Sequence, residues 1–135
     1  MRKLCADFHT HTTYCDGKST PRQMVEAAYS MGLTDFGISG HADYSMWEPG
    51  FGMSDAILSA YKQELEILRE EYAGKMNIYI GIELDTLGPV QQAEYAIGST
   101  HSILKDGHLV TVDDTEEKLV QAVETLWNGD WDAMT

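Results

Sequence analysis

Four short stretches carry the apolar residues of strands: "KLCADFH" (3–9), "TDFGISGH" (34–41), "MNIYIGIELD" (76–85), which is near-continuously apolar, and "AEYAIGSTH" (93–101). Runs of this length, bounded by polar and turn-forming residues, read as buried strands. Between them the apolar period changes to that of a helix. "TPRQMVEAAYSMGL" places Met24, Ala28 and Met31 on one face, with Thr20 as N-cap and Pro21 at the first helical position, where a missing N–H is harmless. A longer helix follows, capped by Ser54 or Asp55, in which Ile57, Tyr61, Leu65, Leu68 and Tyr72 recur at helical spacing until Gly74. A last helix, "TEEKLVQAVETLWNG", turns Leu119, Val123 and Leu126 inward and stops at Gly129. "TLGPVQQ", between the third and fourth strands, is too short to carry a helix. His108, in "KDGHLV", follows a turn signal and begins a hairpin strand, away from any site.

Strands alternating with helices predict an α/β fold, a parallel sheet covered by helices, either open or closed into a barrel. Periodicity does not choose between the two. The placement of polar residues adds more: His9 and His11 close the first strand, His41 the second, Glu83 the third and His101 the fourth. In parallel α/β folds the side chains at these strand ends converge on one rim, where barrel enzymes build their active sites.

Each of these residues also has an ordinary structural reading. A single histidine after a strand is more often a hydrogen-bonded surface residue than a ligand. His9 and His11 together carry more weight, because the strand period of two puts both imidazoles on one face, able to grip one ion. Glu83 sits inside "YIGIELDTL", where an unpaired carboxylate would cost several kcal/mol of desolvation. A salt bridge could satisfy it, but the chain has only nine Lys and Arg, and a carboxylate shared between metals explains the position better. Asp16, in "CDGKS", is equally well an ordinary turn residue.

Composition narrows the class. At 135 residues and 43% hydrophobic, the chain is long enough for one domain with a core. A formal net charge of −13 argues against a nucleic-acid partner, which needs a basic face, while leaving room for bound cations. No apolar run reaches the roughly 18–20 residues of a membrane span, and "MRKLCADFH" lacks the apolar region of a signal peptide. A cytoplasmic protein with no membrane partner is expected, with Cys5 and Cys15 as free thiols.

The ordered set "FHTHTTYCDG", "GISGHAD", "GIELD" and "IGSTHSI" resembles the first four motifs of the PHP (polymerase and histidinol phosphatase) superfamily, most closely its histidinol-phosphatase branch. Four motifs in order over most of the chain are far more specific than any one of them. The resemblance implies a distorted TIM-like (β/α)7 barrel, here its N-terminal part of about four parallel strands with covering helices, and a centre of up to three divalent transition metals, zinc, iron or manganese. It implies His9, His11 and Glu83 on the first metal, Glu83 bridging to a second that His101 binds, and Asp16 and His41 on the third. Glu83, His101 and His41 are the residues it places at the reaction. Metals at one rim activate water and stabilise charge on phosphoryl oxygens, so the implied reaction is hydrolysis of a small phosphate monoester. L-Histidinol phosphate, in histidine biosynthesis, is the specific candidate. A PHP-like phosphoesterase with another substrate is the alternative, and a metal-binding chain without activity a third reading. The family's later ligands, another histidine and an Asp-x-His motif, have no counterpart before Thr135. Residues 1–135 are therefore expected to form a partial domain, with low or no activity by itself, whose open sheet edge favours association as a dimer.

Overall fold

The structure, a computed structural model, describes residues 5–46, 48 and 51–134. Strand β1 is Ala6–Asp7, helix α1 Pro21–Ser30, β2 Asp35–Ile38, α2 Asp55–Glu71, β3 Asn77–Asp85 and β4 Tyr95–Ser99. A hairpin follows, β5 Ser102–Lys105 and β6 His108–Thr111, then helix α3 Glu116–Leu126 and a short 3-10 turn, Asp132–Met134. The four strands β1-β2-β3-β4 form one sheet in sequence order, every neighbouring pair parallel. This is the α/β half-barrel expected of the sequence, with helices on its outer face.

Alternation along β3 sets the layers. Ile78, Ile80 and Ile82 point to one face, where they join Phe36 and Ile38 of β2, Val25 and Ala28 of α1, and Leu58, Tyr61, Leu65 and Leu68 of α2 in the main core. Tyr79, Gly81, Glu83 and Asp85 therefore lie on the opposite, inner face. Tyr61, fully buried, ties the helix layer to the sheet: its hydroxyl lies 2.5 Å from the carbonyl of Ile38 and 2.9 Å from that of Gly81.

On the inner face Tyr95 of β4 lies across the sheet. A Cβ on Gly81 would meet its Cζ at 2.1 Å, and a Cβ on Gly37 its hydroxyl at 2.3 Å, so two glycines on adjacent strands form a bed that only hydrogens leave open. The Tyr95 hydroxyl donates to the carbonyl of Phe8 at 2.7 Å, reaching from β4 to the chain just beyond β1. Phe8 packs edge-on against both Tyr79 and Tyr95.

Several sequence expectations change in detail. The first strand was expected to be buried from residue 3; it pairs over only two residues and is half-buried, because it is the sheet's edge, and residues 3 and 4 lie outside the described ones. On α1 the inward face is Pro21, Val25 and Ala28, while Met31 is the C-cap and 68% exposed. On α2 the buried position is Leu58 and not Ile57, one residue further round the helix. Thr20, Ser54 and Thr115 cap the three helices, and Thr20 forms a full capping box with Gln23.

The parallel pair β3 and β4 is joined without a helix. This is possible because β4 pairs only with the second half of β3, Gly81–Asp85, so residues 86–94 need to return only a short way. Glu94 holds that return: its N–H donates to the Ile80 carbonyl, and its carboxylate accepts the Ile80 N–H. In the hairpin, Asp106 and Gly107 both have positive φ, 48° and 80°, the two-residue turn that suits strand twist. His108 begins β6, away from the site, as the turn signal predicts. Val110 of β6 packs with Val123 and Trp127 at the C-terminal end in a second, smaller core, against which Leu119 and Leu126 lie.

Candidate metal centre

The rim formed by the C-terminal ends of the parallel strands gathers every residue the sequence nominated. His9 and His11 follow β1, His41 extends β2 through an isolated bridge to Glu83, and Glu83 lies in β3. His101 sits between β4 and β5, its carbonyl accepting the N–H of Val112. Asp16 arrives from the loop after His11. The Thr12 carbonyl accepts the N–H groups of both Cys15 and Gly17, and this tight turn swings Asp16 back over the histidines.

Glu83 is the centre of the arrangement, with its side chain 3% exposed. Its Oε2 lies 3.3 Å from His9 Nε2, 3.2 Å from His11 Nε2 and 3.2 Å from His41 Nδ1, while Oε1 lies 3.2 Å from His101 Nε2. Asp16 bridges the other nitrogens of two of these rings, at 3.2 Å from His11 Nδ1 and 3.6 Å from His41 Nε2. The ligand atoms fall into three overlapping groups: His9, His11 and Glu83; His41, Glu83 and His101; and His11, Asp16 and His41. His41 thus stands beside Glu83 as well as Asp16, and His11 belongs to two groups, neither of which the sequence could specify.

This donor set fits metal ions. Despite its three imidazole neighbours, the buried Oε2 of Glu83 has no hydrogen bond of proper geometry. Among the described residues no Lys or Arg pairs with Glu83; its ion-pair partners are all imidazoles. Nitrogen and oxygen ligands held about 2.0–2.1 Å from a tetrahedral ion lie roughly 3.3 Å from one another. The observed separations around Glu83 match that spacing.

The electrostatics point the same way. Burial, reinforced by the neighbouring His11 ring, holds the His41 imidazolium below its ordinary range, which favours the neutral ring that can coordinate. Burial pushes the Glu83 carboxyl up, but contact with His9 and the rings of His41 and His101 outweigh it, and the group stays below the usual carboxylate range. For Asp16, too, burial is outweighed, by the Cys15 thiol and the His41 and His11 rings. Burial raises the Cys15 thiol, which lies 3.6 Å from His11 Nδ1.

The sequence reading did not nominate Asp85. Its Oδ2 lies 2.9 Å from His101 Nδ1 and also accepts the His101 backbone N–H at 2.9 Å. The signal was present in "GIELD": two residues beyond Glu83 on the strand, Asp85 must share its face. The cleft above the cluster, about 370 Å³, is completed by Tyr44, Glu48, Phe51, Ser102, Thr111 and Asp113. Among the described residues no helix is long and apolar enough to cross a membrane.

Comparison with known proteins agrees with this architecture. The model of the PHP domain family matches residues 7–128. The "Probable histidinol-phosphatase" of Deinococcus radiodurans is 30% identical over 114 residues, which cover 75% of this chain and 43% of that protein. The crystal structure of a "putative histidinol phosphatase" from Listeria monocytogenes superposes with a TM-score of 0.71 at 23% identity, over 86% of this chain and 53% of that one. The histidinol phosphate phosphatase of Lactococcus lactis subsp. lactis, solved with zinc, L-histidinol and phosphate, gives a TM-score of 0.60 at 23% identity, over 90% of this chain and 51% of that one. The chain thus spans about half or less of the length of these relatives.

Proposed function

The chain belongs to the PHP domain family, and from that premise we propose that it carries the N-terminal, metal-binding part of a phosphoesterase that hydrolyses L-histidinol phosphate to L-histidinol and phosphate. The observation that carries the reading is Glu83, a buried carboxylate ringed by four imidazoles with no Lys or Arg paired to it among the described residues. Divalent transition metals, zinc, iron or manganese, would be held by the three groups of His9, His11, Asp16, His41, Glu83 and His101. When bound, such ions lower the pKa of water and stabilise charge on phosphoryl oxygens.

The chain's own residues supply the rest. Glu83 and Asp16 bring negative charge that would keep cations at the rim, and Glu83 belongs to both the His9–His11 group and the His41–His101 group, linking the two. His41 stands at Oε2 of Glu83 and His101 at Oε1. Tyr44, Phe51, Ser102 and Thr111 line a cleft of about 370 Å³ above the cluster, room for a small phosphate ester. The identity of the relatives favours L-histidinol phosphate over other monoesters.

The test is phosphate release from L-histidinol phosphate by the chain loaded with zinc or manganese, beside p-nitrophenyl phosphate and a nucleoside monophosphate. Release that favours L-histidinol phosphate and is lost in Glu83→Gln supports the reading. Preference for another ester would assign a different substrate, absence of release from all of them in a metal-loaded chain is the result expected of a partial domain that binds metal without completing the site, and release unaffected by Glu83→Gln would refute the reading.

A further inference from the structure

The contact between Asp85 and His101 has a chemical consequence of its own. Asp85 is 7% exposed at its side chain, and three N–H groups fix it: Leu87 N–H donates to Oδ1 at 2.8 Å, while the backbone N–H of His101 donates to Oδ2 at 2.9 Å and the ring Nδ1 lies 2.9 Å from the same oxygen. An ionised carboxylate only accepts hydrogen bonds, so the Nδ1 of a neutral His101 must carry the proton. Nε2 is then a lone pair. It faces Glu83 Oε1, another acceptor, at 3.2 Å, with the Ser99 hydroxyl at 3.2 Å as a neighbouring donor. Two lone pairs opposed at that distance repel each other unless a proton or a metal cation lies between them.

We propose that Asp85 is a positioning residue: it locks His101 in the Nδ1–H tautomer and aims the Nε2 lone pair at the space shared with Glu83, so that His101 is ready as a ligand before any ion arrives. Metal-binding histidines commonly owe their orientation to such a carboxylate, and its removal typically weakens metal affinity about 10- to 100-fold. Without Asp85 the ring would favour the opposite tautomer, because Nε2–H could donate to Glu83 Oε1. That form cannot coordinate through Nε2. The same two backbone N–H groups that hold Asp85 explain how a short side chain at a strand end acts so specifically.

The tautomer follows from this structure alone, while the effect on affinity rests on the metal-binding reading proposed above. Long-range 1H–15N correlation spectra of the metal-free chain read the tautomer of the neutral ring directly. His101 should show a protonated Nδ1 and an unprotonated Nε2, and Asp85→Ala should move the proton to Nε2. In zinc titrations Asp85→Ala should weaken binding about 10- to 100-fold, with Asp85→Asn, which keeps the shape and one acceptor, in between. A wild-type His101 protonated on Nε2 overturns the proposal. So does an Asp85→Ala chain that loses thermal stability with tautomer and zinc affinity unchanged, the result expected of a purely structural residue. If Asp85→Ala does not fold, the wild-type tautomer decides. A wild-type chain with the predicted tautomer and no zinc binding would uphold the tautomer that Asp85 sets and refute the metal reading instead.

Discussion

Gly81→Ala perturbs the inner face at one point and has a calculable cost. The new methyl carbon would lie 2.1 Å from Tyr95 Cζ and 2.5 Å from both Cε atoms, against ordinary contacts of 3.4 Å or more, so the tyrosine ring must leave its bed. Leaving breaks the hydrogen bond to Phe8 O, about 1 kcal/mol, and the edge-on packing with Phe8, about 0.5–1.5 kcal/mol. Strain in the displaced neighbours brings the total to about 2–3 kcal/mol, within the range for overpacking. The alanine recovers about 0.5–1 kcal/mol of the entropy a strand glycine loses on folding, leaving a net destabilisation of about 1–2 kcal/mol. The assay is urea unfolding followed by circular dichroism in metal-free buffer, for Gly81→Ala, Tyr95→Ala and the double variant. With the ring gone, the alanine should be neutral or slightly stabilising, a coupling of about 2 kcal/mol between the two positions. If Gly81→Ala costs the same in both backgrounds, the ring is not what requires a glycine there and this reading of the inner face is wrong.

Two further outcomes follow from the fold and the open sheet. Tyr61→Phe should destabilise by about 1–2 kcal/mol in the same unfolding assay, because the buried carbonyls of Ile38 and Gly81 lose a hydroxyl that the phenyl ring cannot replace; a change below about 0.5 kcal/mol would mean the sheet satisfies both without it. The outer edge of β4 has no partner strand among the described residues, and Val90 is 84% and Trp131 46% exposed, so the chain should self-associate, most simply as a dimer, in light scattering across a concentration series; a monomer at every concentration would refute this.

The strand ends were the most legible part of the sequence. A parallel α/β chain sends the residues after its strands to one rim, so His9, His11, His41, Glu83 and His101 could be gathered without knowing how the sheet closes. Asp16 could not be decided that way. Its place depends on two hydrogen bonds to the Thr12 carbonyl, a local turn indistinguishable in sequence from any other Asp-Gly turn. The inward face of α1 was legible only in part: Ala28 is buried and Met24 packs against the core, but Val25, not Met24, is fully buried and Met31 is the exposed C-cap. Tyr95 and its two glycines were not legible at all. Gly37 and Gly81 are far apart in sequence, and only the parallel register, which puts Gly37 beside Tyr79 and Gly81 beside Tyr95, brings them under one ring.

The central claim is that Glu83 and its imidazoles form a metal site, and the metal content of the purified chain tests it most directly. The chain is stripped with chelator, loaded separately with zinc and manganese, dialysed against metal-free buffer and analysed for bound metal, beside Glu83→Gln. The wild type should retain at least one ion per chain, while Glu83→Gln should lose most of it with an unchanged circular dichroism spectrum, since the amide keeps the shape and gives up the charge. A wild-type chain that is metal-free after loading with either ion, or a Glu83→Gln chain that binds as well as the wild type, would contradict the account.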